Sequence, residues 1–210
     1  MPRPKKTIDE LQSTREKILD IALAILQENG PEAITSRAIA ERMKVAHMFL
    51  FTYFKNQAEL LAALRDRETA KWYARQEEIS RRVATEAVPR LVEEMLELIA
   101  NFPRENPKLF RLAWVIPEVT GASPKESRLR MYNTVGNLAK LLAIGMGKGD
   151  YVRRDPFLAA GVILGMVNLP SILFHSGKIV DTFVRDRMVA EMFSAAKIYL
   201  KNEEESGIQE

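Results

Sequence analysis

The stretch that decides the fold is Thr14–Leu64, TREKILDIALAILQENGPEAITSRAIAERMKVAHMFLFTYFKNQAELLAAL. Ile18, Ile21, Ala22, Ile25 and Leu26 recur at three- and four-residue steps and so share one helical face. Gly30-Pro31 ends that helix, because glycine accepts the backbone of a helix stop and proline cannot continue the ladder. Thr35 offers an N-cap hydroxyl to a short helix carrying Ile39, Ala40 and Met43. After a break near Lys44, another short helix is expected over Ala46–Tyr53, with Val45, Phe49, Leu50 and Phe54 apolar. Asn56 and Glu59 have capping-box spacing at the start of a long helix with Leu60, Leu61, Leu64 and Trp72 on its apolar row. Two short helices joined by a turn, after a longer one, have the layout of a helix-turn-helix unit.

Working outward, the same 3.6-residue period continues to the C-terminus. Val88, Leu91, Val92, Met95, Leu98, Ile99 and Phe102 give the cleanest amphipathic stripe. Asn106-Pro107 caps a helix over Leu109–Ile116 that Pro117 interrupts. A capping box at Ser123–Glu126 opens a helix running to about Gly145. A last helix spans about Asp181–Asn202, with Val184, Met188, Met192, Ala195 and Tyr199 on one face. No strand-period run and no internal repeat stands out, so the reading is all-α with about nine helices. The expected organisation is a flexible basic arm (1–10, with Arg3, Lys5 and Lys6), a helix-turn-helix domain (11–56), a second helical domain (57–202) and a frayed acidic tail (203–210).

Composition narrows the chemistry. The 210 residues are 47% hydrophobic and 28% charged, which is ordinary for a globular chain. The absence of cysteine excludes disulfide frameworks, thiolate metal sites and a cysteine nucleophile, and it suits a reducing, cytoplasmic setting. Two histidines far apart leave little from which to build a metal site or a catalytic triad, so neither an enzyme nor a cofactor is expected. Gly145-Met-Gly147-Lys-Gly149 follows a helix rather than a strand and lacks nucleotide-binding spacing; helix termination explains it. Met1–Glu10 lacks the apolar core of a signal peptide. Net charge is only +3, yet between Thr35 and Gln57 four basic residues (Arg37, Arg42, Lys44, Lys55) face one acid, Glu41. A positive patch on a helix pair is what phosphate binding needs.

One segment points elsewhere. Pro156–Gly177 holds 22 residues without a charge, long enough to cross a bilayer. Asn168, Pro170, Ser171 and His175 interrupt it, and no second such run exists. The competing reading is a helix buried with help from a second copy of the chain, where Gly161 and Gly165 allow close helix approach.

The run Thr14–Leu64 resembles the DNA-binding domain of the tetracycline-repressor (TetR) family of transcriptional regulators. The landmarks are Arg15, Ile18, Ala22 and Gly30 in and after the first helix, then Thr35, Ile39 and Ala40 in the second. Val45, Leu50, Tyr53 and Phe54 follow in the third, and Glu59-Leu60-Leu61 opens the fourth. Gly147–Ala160 gives a weaker echo of a loop before the family's penultimate helix. The resemblance implies that Thr35 donates to a DNA phosphate and that Tyr53 places its hydroxyl on the backbone. It puts Ala46, His47, Met48 and Phe49 in the major groove, with His47 and Thr52 as candidates for base edges. Ser36, Arg37, Lys44, Lys55 and Gln57 complete the expected DNA-binding set. Four positions depart from the family pattern. Lys44 stands at a usual glycine, Met48 at a usually small residue, Phe51 at a usual tyrosine and Gln57 at a usual lysine.

The resemblance also implies a homodimer, a hydrophobic small-molecule effector and release of operator DNA when the effector binds, with no role for a membrane. Candidate effector contacts are Phe102, Phe110, Trp114, Met131, Tyr132, Met166, Asn168, Phe174 and His175, though each also reads as plain core. Candidate dimer contacts are Gly161, Gly165, Leu169, Val184, Met188 and Met192. Two alternatives remain open: a helical ligand-binding or scaffold protein with weak or lost DNA binding, suggested by Phe51 and Gln57, and a membrane-anchored helical protein.

Overall fold

A threonine fixes where the first helix starts. Thr7 Oγ1 accepts from the Glu10 N–H at 3.2 Å, and the Glu10 carboxylate accepts from the Thr7 N–H at 2.8 Å. This reciprocal cap satisfies two N-terminal donors, so α1 spans Ile8–Asn29 and takes up residues assigned to the flexible arm. The computed structural model describes residues 7–116 and 124–201, with the side chains of 124–131, 133 and 134 outside that description. The expectations for Arg3, Lys5, Lys6, Pro117, the Ser123 cap, the Met131 side chain and the 203–210 tail lie outside the described residues.

α1 buries Ile18, Leu19, Ala22, Ile25 and Leu26 and ends at Gly30, whose φ of 88° suits a residue without Cβ. α2, Ser36–Met43, is capped by Thr35, whose Oγ1 accepts from the Ala38 N–H at 3.1 Å. Lys44 then turns the chain in the left-handed region (φ 57°, ψ 41°). The helix expected over 46–53 is a 3-10 helix, His47–Thr52, with i→i+3 bonds from Phe49 to Ala46 and from Tyr53 to Leu50. At three residues per turn, Leu50 and Tyr53 eclipse, and both are buried. α3 follows at Gln57–Arg81. Its cap is half a box: Asn56 Oδ1 accepts from the Glu59 N–H at 2.9 Å, while the Glu59 carboxylate takes the Lys55 N–H at 2.6 Å.

The remaining helices are α4 (Val88–Glu105), α5 (Pro107–Phe110), α6 (Pro124–Lys148), α7 (Pro156–His175) and α8 (Thr182–Leu200). There is no strand among the described residues. The helix expected over 109–116 stops at Phe110 and continues as a π-turn, Arg111–Val115, closed by the Ile116 N–H on the Arg111 carbonyl at 2.9 Å. α4 buries Val88, Leu91, Val92, Met95, Ile99 and Phe102 of its expected stripe, and Leu96 and Ala100 besides; Leu98 is half-buried. Asp155 caps α7 through the Phe157 and Leu158 N–H groups, and Asp181 caps α8.

The chain divides into two compact units. The first takes Met1–Ala70 together with Lys108–Gly121, and the second takes Lys71–Pro107 with Ala122–Glu210. The expected single boundary at residue 56 is therefore not where the contacts divide. In the first unit, Leu112 joins the core formed by Ile18, Leu26, Ile39, Leu50 and Phe54. Lys108 Nζ donates to the Gln27 carbonyl and, at 2.9 Å, to the Glu28 carbonyl, where α1 leaves acceptors unpaired. Arg111 pairs with Glu32, and the Phe110 and Trp114 rings stack with centroids 5.3 Å apart.

In the second unit, α6 and α7 pack on α4 and on each other, and α8 packs on α7. α7 buries Ala159, Ala160, Ile163 and Val167 on one face and leaves Leu158, Gly161, Val162, Gly165 and Leu169 exposed on the other. Two of the glycines read as a helix stop, Gly145 and Gly147, lie inside α6, and only Gly149 follows it, with φ 85°. A Cβ at Gly145 would sit 2.6 Å from Cδ2 of the Tyr151 ring and 3.1 Å from Val88; at Gly147 it would meet nothing within 4 Å. Gly145→Ala is therefore expected to lower stability by ~1–3 kcal/mol through overpacking. Gly147→Ala raises it by up to ~1 kcal/mol through helix propensity. Paired melting curves check the opposite signs.

Burial pushes the Tyr151 phenol up to about 12, and the negative charges of Asp150 and Glu93 add to the shift. A folded pKa above the unfolded value of 10.0 contributes stability below pH 10 that is lost as pH rises to 12. Tyr151→Phe is expected to flatten that part of an alkaline stability profile measured in urea.

Candidate nucleic-acid interface

The face built by α2 and the 3-10 helix is held from below by Arg15. Its guanidinium, reaching from α1, donates to the Tyr53 carbonyl, pairs with Glu59 at 3.3 Å and lies 4.0 Å over the Phe54 ring. One α1 side chain thus fixes the end of the 3-10 helix and the start of α3. With Leu50 and Phe54 sunk in the core, the helix turns Ala46, His47, Met48 and Thr52 outward as exposed residues; Met48 is 61% exposed. Phe49 is half-buried and packs on Tyr53, ring centroids 5.1 Å apart. Phe51 is exposed beside the Thr35 end of α2.

The basic residues do not all stand free. Arg37, Lys44 and Lys55 are exposed. Arg42 is held by Glu28 through two guanidinium hydrogen bonds, one at 3.0 Å, and this pairing lowers the Glu28 pKa and raises that of Arg42. The positive excess counted along Thr35–Gln57 is thus offset by an acid seven residues upstream of that window. Gln57, expected toward DNA, donates its side-chain amide to the Ile34 carbonyl at 2.8 Å and ties α3 to the α2 approach. Tyr53, expected to present a hydroxyl, is 8% exposed. Thr35 uses its oxygen as the α2 cap and keeps its O–H as a donor, with half-buried Ser36 next to it. Arg15, Glu28 and Glu59 were absent from the sequence-derived site. Their roles rest on partners 14 to 44 positions away, which no local spacing announces.

The effector candidates separate. Phe110 and Trp114 belong to the first unit, where they stack on one another. Phe102 packs on Trp72 in the second, centroids 4.8 Å apart, and the exposed Tyr132 meets Phe157 at 4.9 Å. Phe174 and His175, both half-buried, contact each other at the end of α7, with Arg185 4.5 Å over Phe174. Met166 is half-buried and Asn168 buried. Of the dimer candidates, Gly161, Gly165, Leu169 and Val184 are exposed, and Met188 and Met192 are half-buried. The α7 helix is long and apolar enough to cross a membrane, and 39% of its most apolar window is buried.

Residues 18–64 match the family model for bacterial regulatory proteins, tetR family. The HTH-type transcriptional repressor KstR of Mycolicibacterium smegmatis is 44% identical over 54 residues, 26% of this chain. That match spans about a quarter (26%) of the relative's own length. A TetR-family transcriptional regulator from Pectobacterium atrosepticum shares the fold along 92% of this chain and 95% of its own, with a TM-score of 0.69 and 18% identity. Residues 18–64 are thus a tetR-family segment, and the remainder of the chain shares the fold of such regulators. Among TetR-family structures of the same fold is Thermus thermophilus FadR in complex with lauroyl-CoA. It has a TM-score of 0.64 and 16% identity, and the match covers 88% of this chain and 91% of that one. The TetR-family match falls on the first unit, whose Arg15-braced 3-10 helix carries the outward residues described above.

Proposed function

We propose that the protein is a cytoplasmic, homodimeric transcriptional repressor that binds operator DNA and releases it when a hydrophobic or amphipathic molecule binds the second unit. The observation that carries this reading is the rigid presentation of Ala46, His47, Met48 and Thr52 beside the Thr35-capped start of α2. A short helix anchored by Leu50 and Phe54 and flanked by Lys44 and Lys55 suits the major groove. Thr35, Ser36 and Arg37 lie at a helix N-terminus, where the dipole favours phosphate. His47 and Thr52 are the polar groups for base edges, and Met48 is an apolar contact for a thymine methyl.

Support for the dimer comes from α7. Gly161 and Gly165 have open space around the position of a Cβ, so nothing among the described residues requires glycine there. With Leu158, Val162 and Leu169 they form one exposed apolar stripe that a second copy would cover. A membrane would cover only this one face, while the other packs on α4 and α6. The lauroyl-CoA bound by the T. thermophilus relative supports an effector with an apolar chain.

Fluorescence anisotropy with a labelled duplex from upstream of the gene tests the reading. Saturable low-salt binding that a sequence-scrambled duplex does not match supports it. Its absence favours the ligand-binding protein with weak DNA affinity, to which the engaged Gln57 amide lends weight. Lys44→Gly separates two roles of one residue. Relieving the left-handed strain is expected to add ~1 kcal/mol of stability. Loss of one phosphate contact is expected to flatten the slope of log K against log salt by about 0.9. Urea unfolding and a salt titration read the two effects independently.

A further inference from the structure

Among the described residues, the buried polar side chains of the second unit are Gln76 on α3 and Asn168 and Ser171 on α7, all of them neutral. Gln76 is 1% exposed, and its Nε2 has no hydrogen-bond partner. The other buried polar atoms left unpartnered belong to Arg82, Glu86 and Arg111, which are ion-paired through their remaining atoms. Gln76 has no such outlet. A buried amide N–H without an acceptor costs the folded chain stability, and native structures keep such groups rare.

Its position is defined by its neighbours along α3. Trp72, Gln76 and Ser80 stand four residues apart and so share one helix face. Trp72 packs on Phe102 of α4, and its indole N–H donates to the Leu98 carbonyl at 3.5 Å. The Ser80 hydroxyl donates to the Gln76 backbone carbonyl at 3.0 Å and also lies 3.3 Å from the Asn137 carbonyl of α6. Gln76 therefore sits between a contact to α4 and a contact to α6, helices whose buried side chains are apolar, among them Leu91, Met95, Leu138 and Leu142. Asn168 and Ser171 lie one turn apart on α7, which packs on both of these helices and on α8.

We propose that the interior of the second unit binds an uncharged, apolar molecule bearing a carbonyl oxygen, which accepts a hydrogen bond from the Gln76 amide. This deepens the repressor reading and rests on it. The class follows from what is buried. A carboxylate or ammonium taken out of water needs a charged partner; the buried charged atoms of this unit, on Arg82 and Glu86, belong to ion pairs already made, and the buried residues left over offer amides and a hydroxyl. An apolar molecule without an acceptor would leave the Gln76 amide unpaired. A ketone, ester or thioester carbonyl removes that cost and leaves any charged part of the ligand outside.

The test uses the full chain and three twelve-carbon probes: 2-dodecanone, dodecanoate and dodecane. Melting temperatures are taken for wild type, Gln76→Leu and the near-isosteric Gln76→Met, with DNA anisotropy on the same samples. The expected result has 2-dodecanone stabilising wild type more than the other two probes do. Both variants then melt no lower than wild type when unliganded, and bind the ketone about fivefold to tenfold more weakly. Equal ketone binding by wild type and Gln76→Met overturns the proposal. So does a larger shift with dodecanoate, or no shift with any probe. If DNA binding persists in those cases, only this inference falls. If no duplex is bound at low salt, the repressor reading itself fails, while a Gln76-dependent ketone shift would still uphold the ligand site.

Discussion

Gly165→Arg combined with Leu169→Asp is expected to leave a monomer whose affinity for operator DNA is lower by about a hundredfold or more. Both residues lie on the exposed stripe of α7; Leu169 is 42% exposed and the Cβ position of Gly165 is open. The single chain therefore has room for both changes, and far-UV circular dichroism should show undiminished helix content. The cost falls on association, because two charges four residues apart would enter an apolar face, where their mutual attraction repays only part of the lost hydration. Two heads joined in a dimer engage their half-sites at an effective concentration of order millimolar, and a monomer forfeits that gain of about 10²–10⁴. Light scattering reads the mass and anisotropy the affinity. A variant that remains dimeric would remove this face from consideration.

Leu112→Ala is expected to destabilise the first unit by about 2–5 kcal/mol, as for other buried leucines emptied to alanine. Leu112 is 6% exposed and belongs to the core that includes Ile18, Ile39 and Leu50, although it lies far beyond the matched family segment. Lys108 on the carbonyls ending α1 and Arg111 on Glu32 hold the same segment in place. Urea unfolding followed by loss of DNA binding at 37 °C measures the effect. Ile8→Ala, at an apolar residue 83% exposed, is the control and should change stability by no more than ~0.5 kcal/mol. A Leu112→Ala chain as stable as that control would mean the 108–115 segment contributes nothing to the head.

Periodicity found the helices because burial selects one face of each. Ile18, Ala22 and Leu26 on α1, and Leu91, Met95 and Phe102 on α4, are buried as their spacing predicts. It misjudged the backbone where hydrogen bonding changes step. Neither the 3-10 helix at His47–Thr52 nor the π-turn at Arg111–Val115 alters the apolar pattern enough to be read from it. The start of α1 was legible in Thr7 and Glu10, whose spacing is a capping box, but the basic residues before them drew the boundary too late.

The candidate interface was legible in kind and not in detail. Ala46, His47, Met48 and Thr52 face outward because Leu50 and Phe54 between and after them are apolar enough to be buried. Arg42 and Gln57 looked alike in sequence as polar groups beside the turn, yet Glu28 and the Ile34 carbonyl engage them. Charge counts along a chain cannot show such pairing, since the partners meet only through the packing of α1 on α2.

By itself the sequence determined an all-helical chain with a helix-turn-helix segment, since a 3.6-residue apolar period and cap spacing are local properties written residue by residue. Only the tertiary structure decided that Leu112 joins the core of the first unit, that Arg42 is spent on Glu28, and that one glutamine amide is buried without a partner. Each of these is a long-range meeting of side chains, and its energy depends on which groups the fold brings within a few ångströms of one another.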